Sequence, residues 1–93
     1  MIFESKAPNA IYPVTGSILD YAFTLENGIH YATISTADNV DGSDTPATGK
    51  GFIFEIHRYG QVINIYATQF VTEELKRFCK KHYNNTWSEW FEF

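Results

Sequence analysis

His30, His57, His82 and Cys79 are the residues of this 93-residue chain best suited to hold a metal or attack a substrate. The chain has no His-x-His or His-x-x-x-His pair and no second cysteine, so the spacing that builds a zinc site is missing. We expect strand-end or surface histidines. Asp38-Asn39-Val40-Asp41-Gly42-Ser43-Asp44 gathers oxygen ligands around a glycine, as a calcium loop does. A frame that puts Gly42 at the sixth loop position needs an acid at 37 and a glutamate at 48, where Ala37 and Thr48 stand. A solvated polar loop is the better expectation. Cys79 has His82 three residues on, a spacing that defines no nucleophile and base by itself. Glu73-Glu74 and the Glu89/Glu92 pair are neighbours in sequence, which does not set two carboxylates across a glycosidic bond. A nucleophile elbow and a phosphate-cradling glycine loop are both missing. The residues predict a protein that is not an enzyme, with no metal and no cofactor.

Binding chemistry has more to work with. Lys76, Arg77, Lys80 and Lys81 could grip an anionic glycan or phosphates, and would equally serve as the charges that guard a sheet edge against aggregation. The formal net charge is −4, with seven basic residues against eleven acidic ones. Such a chain lacks the positive field that a nucleic-acid backbone requires, so no nucleic-acid partner is expected. Tyr59, Tyr83, Trp87 and Trp90 have two readings: rings that seal a thin core, or exposed rings that stack on a sugar face. The candidate ligand-binding set is Tyr59, Lys80, Tyr83, Trp87 and Trp90.

The elements that must position these residues read mostly as strands. Pro8 and Pro13 disfavour helix and mark residues 1–15 as an extended N-terminal arm or edge strand. Ile18 to Leu25 alternates, with Leu19, Tyr21, Phe23 and Leu25 on one face, and predicts a half-buried strand. Asn27-Gly28 would turn it into a second strand, Ile29 to Ile34. Residues 35–50 hold few bulky apolar side chains and form a long polar loop, of the kind that is functional or mobile. Gly51 to His57, a turn at Arg58 to Gln61, and Val62 to Val71 form the clearest strand pair. Thr72-Glu73-Glu74 resembles a helix start, and Leu75, Phe78, Cys79 and His82 recur at helical spacing. A turn near Thr72 to Leu75 followed by a strand from Lys76 to Tyr83 competes with that helix, which periodicity alone slightly favours. Asn84-Asn85-Thr86 signals a turn.

Ninety-three residues make one domain that buries about two-thirds of its unfolded surface. Eight Phe, six Tyr and two Trp enlarge a core of that size and suit a pleated sheet. A lone cysteine leaves stability to packing or association. The first ten residues show no signal-peptide pattern, and no apolar run approaches a membrane span, so neither export by a leader nor membrane insertion is expected. The fold class expected is all-β: a small antiparallel, sandwich-like domain of five or six short strands.

The succession Gly28-Ile29-His30-Tyr31, Thr45-Pro46, Gly51-Phe52-Ile53-Phe54-Glu55-Ile56, Thr68-Gln69 and Thr86-Trp87-Ser88-Glu89-Trp90 resembles the knob domain of R-type pyocin and phage tail fibres. That family typically opens on Gly, Ile or Phe, then Tyr. A loop with a small residue before Pro follows, then an apolar strand, a Gln-bearing strand, an aromatic-x-Arg strand and a closing Trp-x-x-Trp. Phe78-Cys79-Lys80 falls at the aromatic-x-Arg position with Lys in place of Arg, which removes a planar, bidentate donor. The loop between Tyr31 and Pro46 is longer and more acidic than in the family, so no ligand contact there carries over. The likeness covers residues 16–93 as a knob-like β domain behind the arm, residues 1–15, and implies a strand at Lys76 to Tyr83. By the same likeness the chain would be a non-catalytic module of a homotrimeric fibre or baseplate in a phage virion, made in the host cytoplasm. Its partners would be other phage structural proteins and a bacterial surface glycan. The alternative is a structural adaptor or decoration subunit that docks by adding its N-terminal arm to a neighbouring sheet.

Overall fold

A computed structural model describes residues 10–70 and 75–93. At its centre is the hairpin of β3 (Gly51–Tyr59) and β4 (Val62–Phe70). Side chains alternate across a strand, and in β4 that alternation buries Ile63, Ile65, Ala67 and Gln69 while Val62, Asn64, Tyr66, Thr68 and Phe70 point the other way. Phe52, Phe54 and Ile56 of β3 join the buried set. Gly60, at φ 60°, makes the tight connection between the paired residues Tyr59 and Val62, where the first central residue of a two-residue hairpin turn needs a positive φ.

β2 (Gly28–Ile34) pairs antiparallel with β3, and β5 (Lys76–Tyr83) antiparallel with β4. The strand at 76–83 is therefore the one implied by the family likeness; its helical spacing loses to the ladder and to Phe78 packing against the core. The helix start read at Thr72 to Glu74 lies outside the described residues. Asn84 and Asn85, at φ 59° and 63°, turn β5 into β6 (Thr86–Trp87), and β7 (Phe91–Glu92) also pairs with β5. On the far side, β1 (Ile11–Pro13) runs parallel to β2. The result is all-β in class, as expected, but the single seven-stranded sheet is open and mixed rather than an antiparallel sandwich.

The alternating segment from Ile18 to Leu25 is not a strand. Ile18–Ala22 forms a short helix, α1, because Ser17 caps it: its hydroxyl accepts from the backbone N–H of Leu19 and of Asp20, each at 3.2 Å. Ile18, Ala22 and Leu25, spaced i, i+4 and i+7, are the residues that enter the core. Asn27-Gly28 consequently closes no hairpin with this segment. Asn27 instead accepts the backbone N–H of Gly60 through its side-chain oxygen, at 2.8 Å.

One face of the sheet is covered by α1, by the loop 35–50 and by the C-terminal segment, with Leu19, Tyr21, Ala47, Trp87 and Trp90 packed on the core. The polar loop is tied down rather than freely solvated. Asn39, only 2% exposed, donates from Nδ2 to the carbonyls of Ala47 (2.7 Å) and Lys50 (2.8 Å) and accepts from Thr45. Ser43 is buried as well, and its carbonyl accepts from the N–H of Ile18, joining loop to helix.

Candidate functional site

The register divides the five candidate residues between the two faces. Trp87 pairs with His82 and Lys80 with the buried Ile65, so both belong to the covered face. There Trp87 meets the rings of His82 and Phe23, at 5.0 and 5.7 Å between centroids. His82 is buried and donates from Nδ1 to the carbonyl of Gln61 at 2.6 Å, which fixes its tautomer. The indole N–H of Trp90 donates to the carbonyl of Asp44 at 3.0 Å. Lys80 holds its ammonium 5.4 Å from the Trp90 ring centroid, a cation–π geometry. Lys80, Trp87 and Trp90 are half-buried: they seal the sheet and join its last strands to the loop.

Tyr59 and Tyr83 lie on the opposite face, which the other described segments leave uncovered. Tyr59 is 79% exposed and Tyr83 63% exposed. Tyr59 pairs with Val62, and the β4–β5 register, carried one residue past Ile63 and His82, sets Val62 against Tyr83. The two rings thus flank one valine at the hairpin end of the sheet. Beside them a depression of about 230 Å³ is lined by Gly28, Ile29, His57, Arg58, Tyr59, Val62 and Asn64.

Of the residues lining this depression, sequence reasoning missed Ile29 and Asn64 and weighed His57 only as a metal ligand. Ile29 is 55% exposed. His57 bonds Glu55 through Nε2 at 2.5 Å. The Oδ1 of Asn64 is buried and has no hydrogen-bond partner among the described residues. The strand alternation already placed Asn64 with Tyr66 and Val62, but which face stayed uncovered was not in it. Arg58 is held at the same end by the carbonyls of Phe23 (2.7 Å), Leu25 (3.0 Å) and Gly60 (2.9 Å), so its charge secures the end of α1.

Among the described residues, the acids, histidines and cysteine form no group of three placed to hold a metal ion. No helix there is long and apolar enough to cross a membrane. Cys79 is on the uncovered face, paired with Tyr66; burial pushes its thiol pKa up, and the nearby Lys81 opposes that shift. A thiol held in its protonated form is a poor nucleophile. The arrangement therefore offers aromatic stacking and hydrogen bonding. Comparison with protein-family models, curated proteins and solved structures finds no match to this chain.

Proposed function

We propose that this chain is a non-catalytic component of a phage particle, associated with a tail fibre or baseplate, that attaches to a glycan on the bacterial surface through Tyr59 and Tyr83. The observation that carries the reading is the pair of exposed rings, Tyr59 and Tyr83, at one end of one sheet face. Aromatic rings stack on the apolar faces of sugars while side-chain amides and imidazoles take the hydroxyls. The tail-fibre-like order of motifs along residues 16–93 supplies the setting. Each contact would be weak, and several copies on one particle would multiply them into firm attachment.

The adaptor alternative has less chain at its disposal. Ile11–Pro13 of the arm already pairs within its own sheet, and Val14 is part of the core. Those residues add their strand to this chain's own sheet, and residues 1–9 of the arm lie outside the described residues.

The test is binding of the purified domain to host cells and to their extracted surface polysaccharide. Tyr59→Ala and Tyr83→Ala should each reduce binding at least tenfold while leaving the circular dichroism spectrum unchanged. Unchanged binding in the double variant would sink the attachment reading.

A further inference from the structure

The uncovered sheet face carries a pattern that is complementary to itself. One unbroken row crosses it, running Ile11, Tyr31, Glu55, Tyr66, Cys79, Phe91 through successive strand pairs. On one side of it runs the row Pro13, Thr33, Ile53, Thr68, Arg77, and on the other the row Ile29, His57, Asn64, Lys81. The β1–β3 half thus carries Ile11, Ile29 and Ile53 together with Tyr31, Thr33, His57 and one acid, Glu55, which His57 bonds. The β5–β7 half is aromatic with two bases, Arg77 and Lys81, which flank Cys79 in the rows above and below it.

A two-fold axis along β4, in the plane of the face, lays β3 of one copy over β5 of the other. Tyr66 then meets Tyr66 of the second copy. Glu55 comes to lie over the position of Cys79, between Arg77 and Lys81, and does so twice by symmetry. Tyr31 of one copy meets Phe91 of the other, and Ile11 lies one strand further out, at the rim. The geometry points to a second copy of this chain as the occupant of this face, packed sheet on sheet with its strands aligned.

Charge and area agree with that occupant. The single ion pair among the described residues is Glu55 with His57, so Arg77 and Lys81 have no carboxylate partner there. Arg77 instead stacks on Phe93 at 5.0 Å. Ile11, Ile29, Ile53, Phe91 and Phe93 are the large apolar side chains most exposed on the face. Taking roughly 150–200 Å² for each when fully exposed, they present on the order of 450 Å² of apolar surface. A standard interface covers about 800 Å² per partner, of which about 60% is apolar. The match is close without counting Tyr31 or Tyr66. Tyr59 and Tyr83 lie at the hairpin end, outside these three rows, where the crossing angle of two aligned sheets opens the rim. Ile29, His57 and Asn64 of the adjoining depression fall inside the rows, so the pairing leaves the two rings, and not the depression, open to a ligand.

Light scattering behind a sizing column, on the full chain at micromolar concentration, should give twice the 10.7 kDa of one chain. Glu55→Arg should give a monomer with an unchanged far-ultraviolet spectrum, and so should the double variant Arg77→Glu/Lys81→Glu. An equimolar mixture of those two should recover the dimer, because one of the two contacts is then native and the other is restored with reversed charge. Ile29→Glu, at an exposed position, is a second route to the monomer should a charge variant fail to fold. A monomeric or trimeric wild type, charge variants that stay dimeric, or a mixture that stays monomeric would each overturn the proposal.

Discussion

The indole N–H of Trp90 donates to the backbone carbonyl of Asp44, 3.0 Å away and 46 residues earlier in the chain. This bond fastens the last segment of the protein to the polar loop, and through the bond from Ile18 to Ser43 the loop is fastened to α1. The three segments that cover the sheet therefore hold one another as well as the core.

Trp90→Phe keeps most of the ring's packing and its contact with Lys80 but deletes the donor. The expected cost is about 1 kcal/mol, a fall in Tm of roughly 4–8 °C for a domain of this size. Trp90→Ala removes the packing too and should cost about 3 kcal/mol or more. Thermal unfolding followed by circular dichroism separates the two; equal losses would mean that the hydrogen bond, not the packing, carries the whole effect.

Asn39→Ala should be among the most damaging polar substitutions. It strips the Lys50 carbonyl of its side-chain donor and leaves the Ala47 carbonyl and the Thr45 hydroxyl only their 3.1 Å bond to each other. Buried groups left unsatisfied cost about 1–3 kcal/mol each, less where water reaches them. Asn39→Asp should fail nearly as badly, since a carboxylate cannot donate to either carbonyl. Urea unfolding measures both; a change below about 0.5 kcal/mol in either would contradict the keystone role.

Gly51 is required by a neighbour rather than by its own backbone. A Cβ built there comes within 2.8 Å of the Phe70 ring on the adjacent strand. Gly51→Ala should lose about 1 kcal/mol as the ring is pushed off the sheet. In a Phe70→Ala background the same change should cost nothing or stabilise, and the double-mutant cycle reads that coupling directly.

Cys79 should react slowly. Because burial raises its thiol pKa, less thiolate is present at pH 8 than in an unfolded chain. Modification by a disulfide reagent should accelerate when the protein is denatured, and slow further in Lys81→Ala, which removes the opposing charge. The linkage has a definite sign. A folded pKa above the unfolded one contributes stability that is complete below the unfolded thiol pKa and is lost as pH rises through the folded value. Cys79→Ser should abolish that alkaline loss.

Tyr59→Ala and Tyr83→Ala should leave stability within about 0.5 kcal/mol, since both rings are mostly in solvent. Denaturation midpoints check this independently of binding, and a large loss would mean that the rings serve the fold.

Much of the sheet was legible in the residues. Gly51 to His57, with Phe52, Phe54 and Ile56 on one side, and the β-branched and aromatic run that starts at Val62 flank a glycine turn, and β3 and β4 form there. Asn84-Asn85 and Gly60 mark turns because few residues tolerate a positive φ. Ile18 to Leu25 misled because its apolar residues satisfy two periods at once. Leu19, Tyr21 and Phe23 alternate, while Ile18, Ala22 and Leu25 recur at helical spacing, and the Ser17 cap together with burial of the second set decides for helix. Lys76 to Tyr83 is the reverse case, where β4 offers an unpaired edge and the ladder outweighs local helical spacing.

The sequence by itself determined the strand-rich class, the single core and the turns at Gly60 and Asn84-Asn85, because those follow from side-chain period and backbone sterics within a few residues. Only the tertiary structure decided which face of the sheet is covered. That choice placed Lys80, Trp87 and Trp90 against the core and left Tyr59 and Tyr83 in solvent. It rests on contacts between residues far apart in the chain, such as Trp90 with Asp44 and Arg58 with Phe23, and no local pattern encodes a contact of that range.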